Sequence, residues 1–239
     1  MKKIFIFISC CLFTFVSCEI DNYDGPDASI HGQFLDEKTG EPVGTDIENG
    51  NSIIVREQGF TNPQDQYWYI MNTGEYRDNL IFAATYDVRF ENCNFYPFRI
   101  DNFVVKKGNN TYDFQVTPYI RIRNPKIMKN GNTVTATFSL EAGNPEVKVK
   151  EVQLFAFSDQ WVGNSVKYSL SGGSDKAVIS PSEIINSSKA YTLTIDLAEN
   201  ANSFKYTGKN YYFRIGALGE VSGVGTVRHN YSPLEVIMF

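Results

Sequence analysis

The chain has 239 residues and a formal charge of −5, from 27 acidic and 22 basic side chains with no Lys/Arg cluster. Nucleic acid is therefore excluded as a partner, because phosphate contacts need concentrated basic surface. Of four cysteines, Cys10, Cys11 and Cys18 lie at the very start and only Cys93 lies beyond, which excludes a disulfide framework and a zinc site built on several thiolates.

At the N-terminus, Lys2 and Lys3 precede an apolar run over residues 4–16, broken only by Ser9, Cys10, Cys11 and Thr14, and small Ser17 stands before Cys18. A positive start, a short apolar run and a small residue at a cleavage point make residues 1–17 a secretory signal peptide, too short to span a membrane. The tail Phe15-Val16-Ser17-Cys18 resembles a bacterial lipobox, with Phe15 where Leu is usual. That resemblance implies acylation of Cys18 and a mature chain anchored on a membrane without crossing it. Several acyl chains, at roughly 0.8 kcal/mol per buried methylene, make such attachment effectively permanent. Glu19, Asp21 and Asp24 follow at once, and residues 18–27 read as a lipidated acidic tether. This run resembles the signal that Bacteroidetes lipoproteins use to reach the outer face of the outer membrane; the competing reading is a solvated tether without an address.

Beyond the tether no long segment has helical periodicity. Short runs rich in Val, Ile, Thr, Tyr and Phe alternate with Gly, Asn, Asp and Pro clusters, the pattern of an all-β chain. Strands are expected at 28–35, 52–56, 66–71, 79–88, 103–105 and 111–116, with turns at 36–43 and 71–76. Pro118 marks a boundary, so one β-sandwich is expected over residues 28–118 and a second over 119–239. In the second, 119–123 leads to Pro125, which forces an edge or linker conformation, and Asn130-Gly131 is a hairpin turn. Residues 132–140 alternate cleanly, with Val134, Ala136, Phe138 and Leu140 on one face. Residues 147–157 alternate in a looser register, and 191–197, 211–218 and 234–239 supply further strands. One helical exception is expected: Ser180-Pro181-Ser182-Glu183 offers Ser at the N-cap, Pro at N1 and Glu at N3 of a short turn.

Gly32, Asp36, Thr39-Gly40-Glu41-Pro42-Val43, Gly74-Glu75-Tyr76, Leu80 and Thr85-Tyr86-Asp87-Val88 together resemble the carboxypeptidase regulatory-like domain, a prealbumin-like sandwich. Asn72-Thr73 stands where Asp is common and Ala83-Ala84 replaces the usual Pro-Gly. The resemblance covers about residues 28–117 and implies a scaffold without an active site. The second half resembles an immunoglobulin- or fibronectin-type sandwich. Through Val116-Thr117-Pro118-Tyr119, Tyr212-Phe213-Arg214-Ile215-Gly216-Ala217 and Asn230-Tyr231-Ser232-Pro233, the whole mature chain resembles a Bacteroidetes surface lipoprotein family of unassigned function. Members tend to be encoded among polysaccharide-uptake systems, which implies polysaccharide and other uptake proteins as partners.

No nucleophile elbow, phosphate loop, His-Glu-x-x-His motif or calcium-loop spacing occurs. The acidic residues lie mostly in turns where solvation explains them, and His31, His229 and Cys93 read as packing or surface residues. No catalytic residue, metal or cofactor is expected. Sugars are held by stacking on aromatic rings with amides and carboxylates bonding their hydroxyls, which makes Trp161, Trp68 and Tyr67 the candidate ligand-binding residues. In Tyr67-Trp68-Tyr69, alternation puts Trp68 opposite the tyrosines; Trp161 sits in a polar loop over 158–164. The competing reading has both tryptophans filling sandwich cores. The expectation is a non-catalytic lipoprotein facing the cell exterior that binds glycan or braces an uptake system, the alternative being a pilin- or adhesin-like structural subunit.

Overall fold

The structure, a computed structural model, describes residues 24–239; the signal peptide, Cys18, Glu19 and Asp21 lie outside the described residues. Eight strands form the first half: β1 (Ala28–Asp36), β2 (Ser52–Glu57), β3 (Gln66–Tyr69), β4 (Glu75–Ile81), β5 (Thr85–Arg89), β6 (Arg99–Val104), β7 (Gly108–Thr111) and β8 (Phe114–Val116). One sheet has the order β4-β1-β7, with β8 taking over from β7 along β1; the other runs β3-β2-β5-β6.

Alternate residues of β1 build the shared core. Ala28, Ile30 and Phe34 point inward and are buried, and Gly32 occupies the same row. A Cβ on Gly32 would lie 1.9 Å from the Tyr112 carbonyl oxygen, the acceptor of the buried Tyr76 hydroxyl at 2.6 Å, so only glycine fits there. Phe34 is fully enclosed and its ring lies 5.0–5.8 Å from those of Tyr76, Phe90, Phe95 and Phe114. The inward row ends on a charge, Asp36, which is also buried.

Because β4 runs antiparallel to β1 and β5 antiparallel to β2, the connections collect at two ends. At the base, where the chain arrives, Asp27 accepts hydrogen bonds from the Ala83 and Gly108 amides, and the Val105 amide bonds the Ala84 carbonyl. At the other end the loops over 37–51, 70–74 and 90–98 meet: the Thr45 amide donates to the Asn72 carbonyl, and Asn51 bonds Asn94. The latter end faces the second half of the chain.

That half comprises β9 (Ile120–Asn130), β10 (Thr133–Ala142), β11 (Lys148–Phe157), β12 (Lys176–Ile184), β13 (Ala190–Asp196), β14 (Asn210–Glu220), β15 (Asn230–Tyr231) and β16 (Glu235–Met238). Its sheets run β13-β10-β9 and β12-β11-β14-β15, with β16 also on β14. Val134, Ala136, Phe138 and Leu140 are all buried, as their alternation predicts. Asn124 and Pro125 together oppose Phe138 in a bulge on the edge strand β9, where a missing N–H costs least. The looser pattern of β11 also has a cause: its register shifts between Val149 and Glu151, and beyond the shift both of its faces are covered. Phe155, on the face away from the core, packs against His229 and Tyr231.

Three expectations fail here, one of them the strand over 111–116, which breaks at 112–113 where β8 replaces β7 beside β1. The capped turn at 180–183 is instead part of β12, where Ile184 and Glu183 pair with Lys148 and Val149. Pairing at a sheet edge outweighs a local cap signal, and the shifted register there tolerates Pro181. The strand expected over 79–88 is broken at 82–84, where the chain crosses from the sheet of β1 to the sheet of β2. Phe34→Ala is expected to destabilise the protein by about 3–5 kcal/mol, since it empties the centre of the aromatic cluster; the urea midpoint of purified chain measures this.

Candidate functional site: the cleft between the two halves

The turn after β1 follows from its residues. Asp36 accepts from the Lys38 amide and the Thr39 hydroxyl, and Gly40 takes a positive φ of 71° as the Gly40 amide closes back on the Asp36 carbonyl. Both carboxylate oxygens remain available on their other side, and Arg121 of β9 fills them through Nε at 2.5 Å and Nη2 at 2.7 Å. This two-pronged pair is enclosed and joins the halves of the chain. Burial alone would push the Asp36 carboxyl up; the hydrogen bonds from Arg121 and the Lys38 amide outweigh it and hold the group below its usual 3.8.

A second guanidinium lies deeper. Arg214 stands within the apolar strand β14, and no carboxylate among the described residues bonds it. Its nitrogens donate to the carbonyls of Ser232 (3.0 Å), Thr45 (3.0 Å) and Asn72 (2.8 Å), and its plane lies 4.3 Å from the Tyr231 ring centroid. Burial draws its pKa down to about 10, so it stays charged at neutral pH. The Tyr231 hydroxyl donates to Asp46 at 2.6 Å, and Asp46 also accepts from the Asn164 amide at 3.2 Å. Asparagines complete the seam. The Asn94 side chain donates to the carbonyls of Gly44 and His229 and accepts from Asn51, while Asn230 donates to the Asn94 carbonyl.

Beside this seam opens a cleft of about 490 Å³. Pro42, Val43, Ile122, Pro233 and Leu234 give it apolar walls, and Asp36, Arg121, Arg214 and Tyr231 line it with groups already engaged. Glu41, Arg123 and Gln160 also line it, and their side chains make no hydrogen bond to any described residue. Arg123 has one long contact, 3.6 Å to Glu141, which is shared with Lys38 and Arg121. A carboxylate and a carboxamide without hydrogen bonds to described residues, and a guanidinium held only by a long ion pair, thus line the cleft beside apolar side chains. Each can bond two neighbouring hydroxyls at once.

The residues singled out from sequence do not gather here. Trp68 is 1% exposed, packed against Tyr86 and Phe103, so it offers no face to a ligand. Its position in the inward row of β3 is the physical reason. Its indole N–H finds no acceptor among the described residues. Tyr67 and Tyr69 do face outward, 48% and 76% exposed, on the first sandwich and away from the cleft lining. Trp161 is half-buried and follows Gln160 at the rim. The cleft residues Glu41, Arg121 and Arg123 escaped sequence reasoning. Their available signals were the Asp36 turn and two arginines alternating at the start of a strand, with a third, Arg214, inside an apolar one.

The other reactive groups are occupied with packing. Cys93 is buried and its thiol is pushed up to about 12. His31 bonds the Thr111 hydroxyl, and His229 is enclosed beside Phe155.

Residues 120–235 match the domain of unknown function DUF3823_C. A solved structure from Bacteroides uniformis, provisionally described as a carbohydrate binding protein, shares 68% identity. The match covers 90% of this chain and 100% of that one, at a TM-score of 0.87. The chain belongs to the DUF3823 family. Family proteins from Parabacteroides merdae (18% identity, 90% of this chain and 100% of that one, TM-score 0.69) and Bacteroides ovatus (19%, 88% and 98%, TM-score 0.68) share the fold. No curated protein matches the chain. In this DUF3823 member the all-β architecture read from sequence stands, as does its kinship with a Bacteroidetes family of unassigned function.

Two outcomes follow from the seam. Arg214→Met leaves the buried Ser232 and Thr45 carbonyls unpaired and takes one of two donors from the Asn72 carbonyl; at about 1–3 kcal/mol for each orphaned group it is expected to cost at least about 2 kcal/mol by urea titration. The Asp36 carboxylate, held below its unfolded pKa, contributes stability that is present above about pH 4 and lost as pH falls through the folded value. Arg121→Met removes the group that depresses it. Its acid transition is therefore expected at higher pH than that of the unmodified chain, measured by urea midpoints across a pH series.

Proposed function

We propose that this chain is a non-catalytic glycan-binding lipoprotein, anchored through Cys18 on the exterior face of the outer membrane, and an accessory of polysaccharide uptake. The observation that carries the reading is the cleft: its walls are held by the Asp36–Arg121 pair and the Arg214 seam, while the side chains of Glu41, Arg123 and Gln160 make no hydrogen bond to any described residue and line it beside apolar groups. A sugar ring presents the complementary pattern, hydroxyls at its rim and C–H groups on its faces. Walls that do not reorganise on binding favour affinity, because little ordering cost remains. Trp161, next in sequence to the lining residue Gln160 and half-buried, is the aromatic ring offered for stacking on a second sugar. The 68% identical relative described as carbohydrate binding supports the same reading.

Calorimetry of the soluble chain against a panel of neutral and acidic polysaccharides tests it. One class is expected to bind, and Glu41→Ala or Arg123→Ala to weaken that binding about tenfold each, as loss of a charged hydrogen bond does. Tyr67→Ala, outside the cleft, is expected to change nothing. Flat heats across the panel, or cleft variants that bind like the unmodified chain, would overturn the proposal.

A further inference from the structure

The base of the first sandwich carries an apolar surface that neither the seam nor the cleft uses. Phe60, Leu80 and Phe82 are 63%, 77% and 43% exposed, and all three line one shallow hollow of about 400 Å³ together with Asn62, Gln64 and Gln66. Large apolar side chains scattered singly on a surface are ordinary; three around one hollow mark an interaction surface.

Its place in the fold says with what. Ala28, the first residue of β1, pairs with Ile81, between Leu80 and Phe82, and the Ala83 amide bonds the Asp27 carboxylate. The hollow therefore lies beside the point where the chain enters the fold. Ten residue steps separate Cys18 from Ala28, a reach of at most about 35 Å at 3.3–3.6 Å per residue. Lys106 and Lys107 are exposed on the same end, with Lys107 Nζ 3.5 Å from Asp27. The hollow's lining also includes the carboxylate of Glu57; the apolar tips, carboxamides and neighbouring lysines match the headgroup boundary of a bilayer, where rings and aliphatic groups submerge and lysines meet lipid phosphates.

Resting on the proposal that Cys18 carries the anchor, we infer that this end of the first sandwich docks on the lipid surface into which the anchor inserts. The protein then stands upright on three apolar contacts. The nine residues of β1 lift the seam and its cleft about 30 Å from the bilayer, at 3.3 Å per residue, so the cleft opens toward the exterior.

The test uses full-length acylated chain in vesicles of phosphatidylethanolamine and phosphatidylglycerol with brominated acyl chains. Cys93 is buried and Cys18 would be acylated, so Leu80→Cys accepts a single bimane label, and Val178→Cys, 63% exposed on the second sandwich, serves as the distant control. Bromolipid is expected to quench the label at position 80 and leave that at 178 bright, and adding Phe60→Ser with Phe82→Ser is expected to abolish the quench. Equal brightness at both positions would mean the chain hangs free on its tether and would overturn the inference. So would a label at position 80 that lipid leaves bright but polysaccharide shields, since the hollow would then be a sugar site. Retention through an alkaline wash reports the Cys18 anchor separately. A chain that washes off refutes the anchor, and the quench recorded before the wash still decides the docking surface.

Discussion

The seam between the halves depends on one constraint: a buried polar group must find its partners inside the protein. Arg214 meets it with three carbonyls and the face of Tyr231, contributed by the loops over 37–51 and 70–74 of one half and by the chain around β15 of the other. Asn94 meets it with bonds to Gly44, His229, Asn51 and Asn230. Apolar contacts tolerate sliding, whereas hydrogen bonds to fixed carbonyls do not. The seam therefore holds the two sandwiches in one relation, and the cleft beside it inherits that rigidity.

The same constraint explains why the first sandwich is polarised end to end. Its inward row runs from Ala28 through Phe34 to a buried charge, Asp36, that Arg121 of the second half neutralises. The end bearing Asp36 is committed to the seam. The opposite end, where the chain arrives, is left to meet whatever lies beyond the molecule, and there the apolar side chains of Phe60, Leu80 and Phe82 are exposed. Chain direction and charge placement agree: one end fastens to the partner sandwich, and the other is the end at which the chain enters the fold.

Legibility in the sequence followed distance along the chain. The alternation of Val134, Ala136, Phe138 and Leu140 was readable because a strand's two faces are set by neighbours two residues apart. The pattern at Ser180–Glu183 misled because a helix cap is also local, and the pairing with β11 that overrode it is not. Trp68 illustrates the limit of alternation. It showed that the indole lies opposite Tyr67 and Tyr69, but which face met the core depended on the second sheet.

By itself, the sequence determined an all-β chain, the turn at Asp36 to Val43, the absence of a thiol framework and the family it belongs to, since these rest on composition and short-range pattern. The cleft was decided only by tertiary structure. Glu41, Arg123, Gln160 and Arg214 are scattered along the chain and share no periodicity, and they meet because buried polar groups in two sandwiches had to satisfy one another. An arginine in an apolar strand announces that a partner must exist; only the folded chain says which carbonyls it finds.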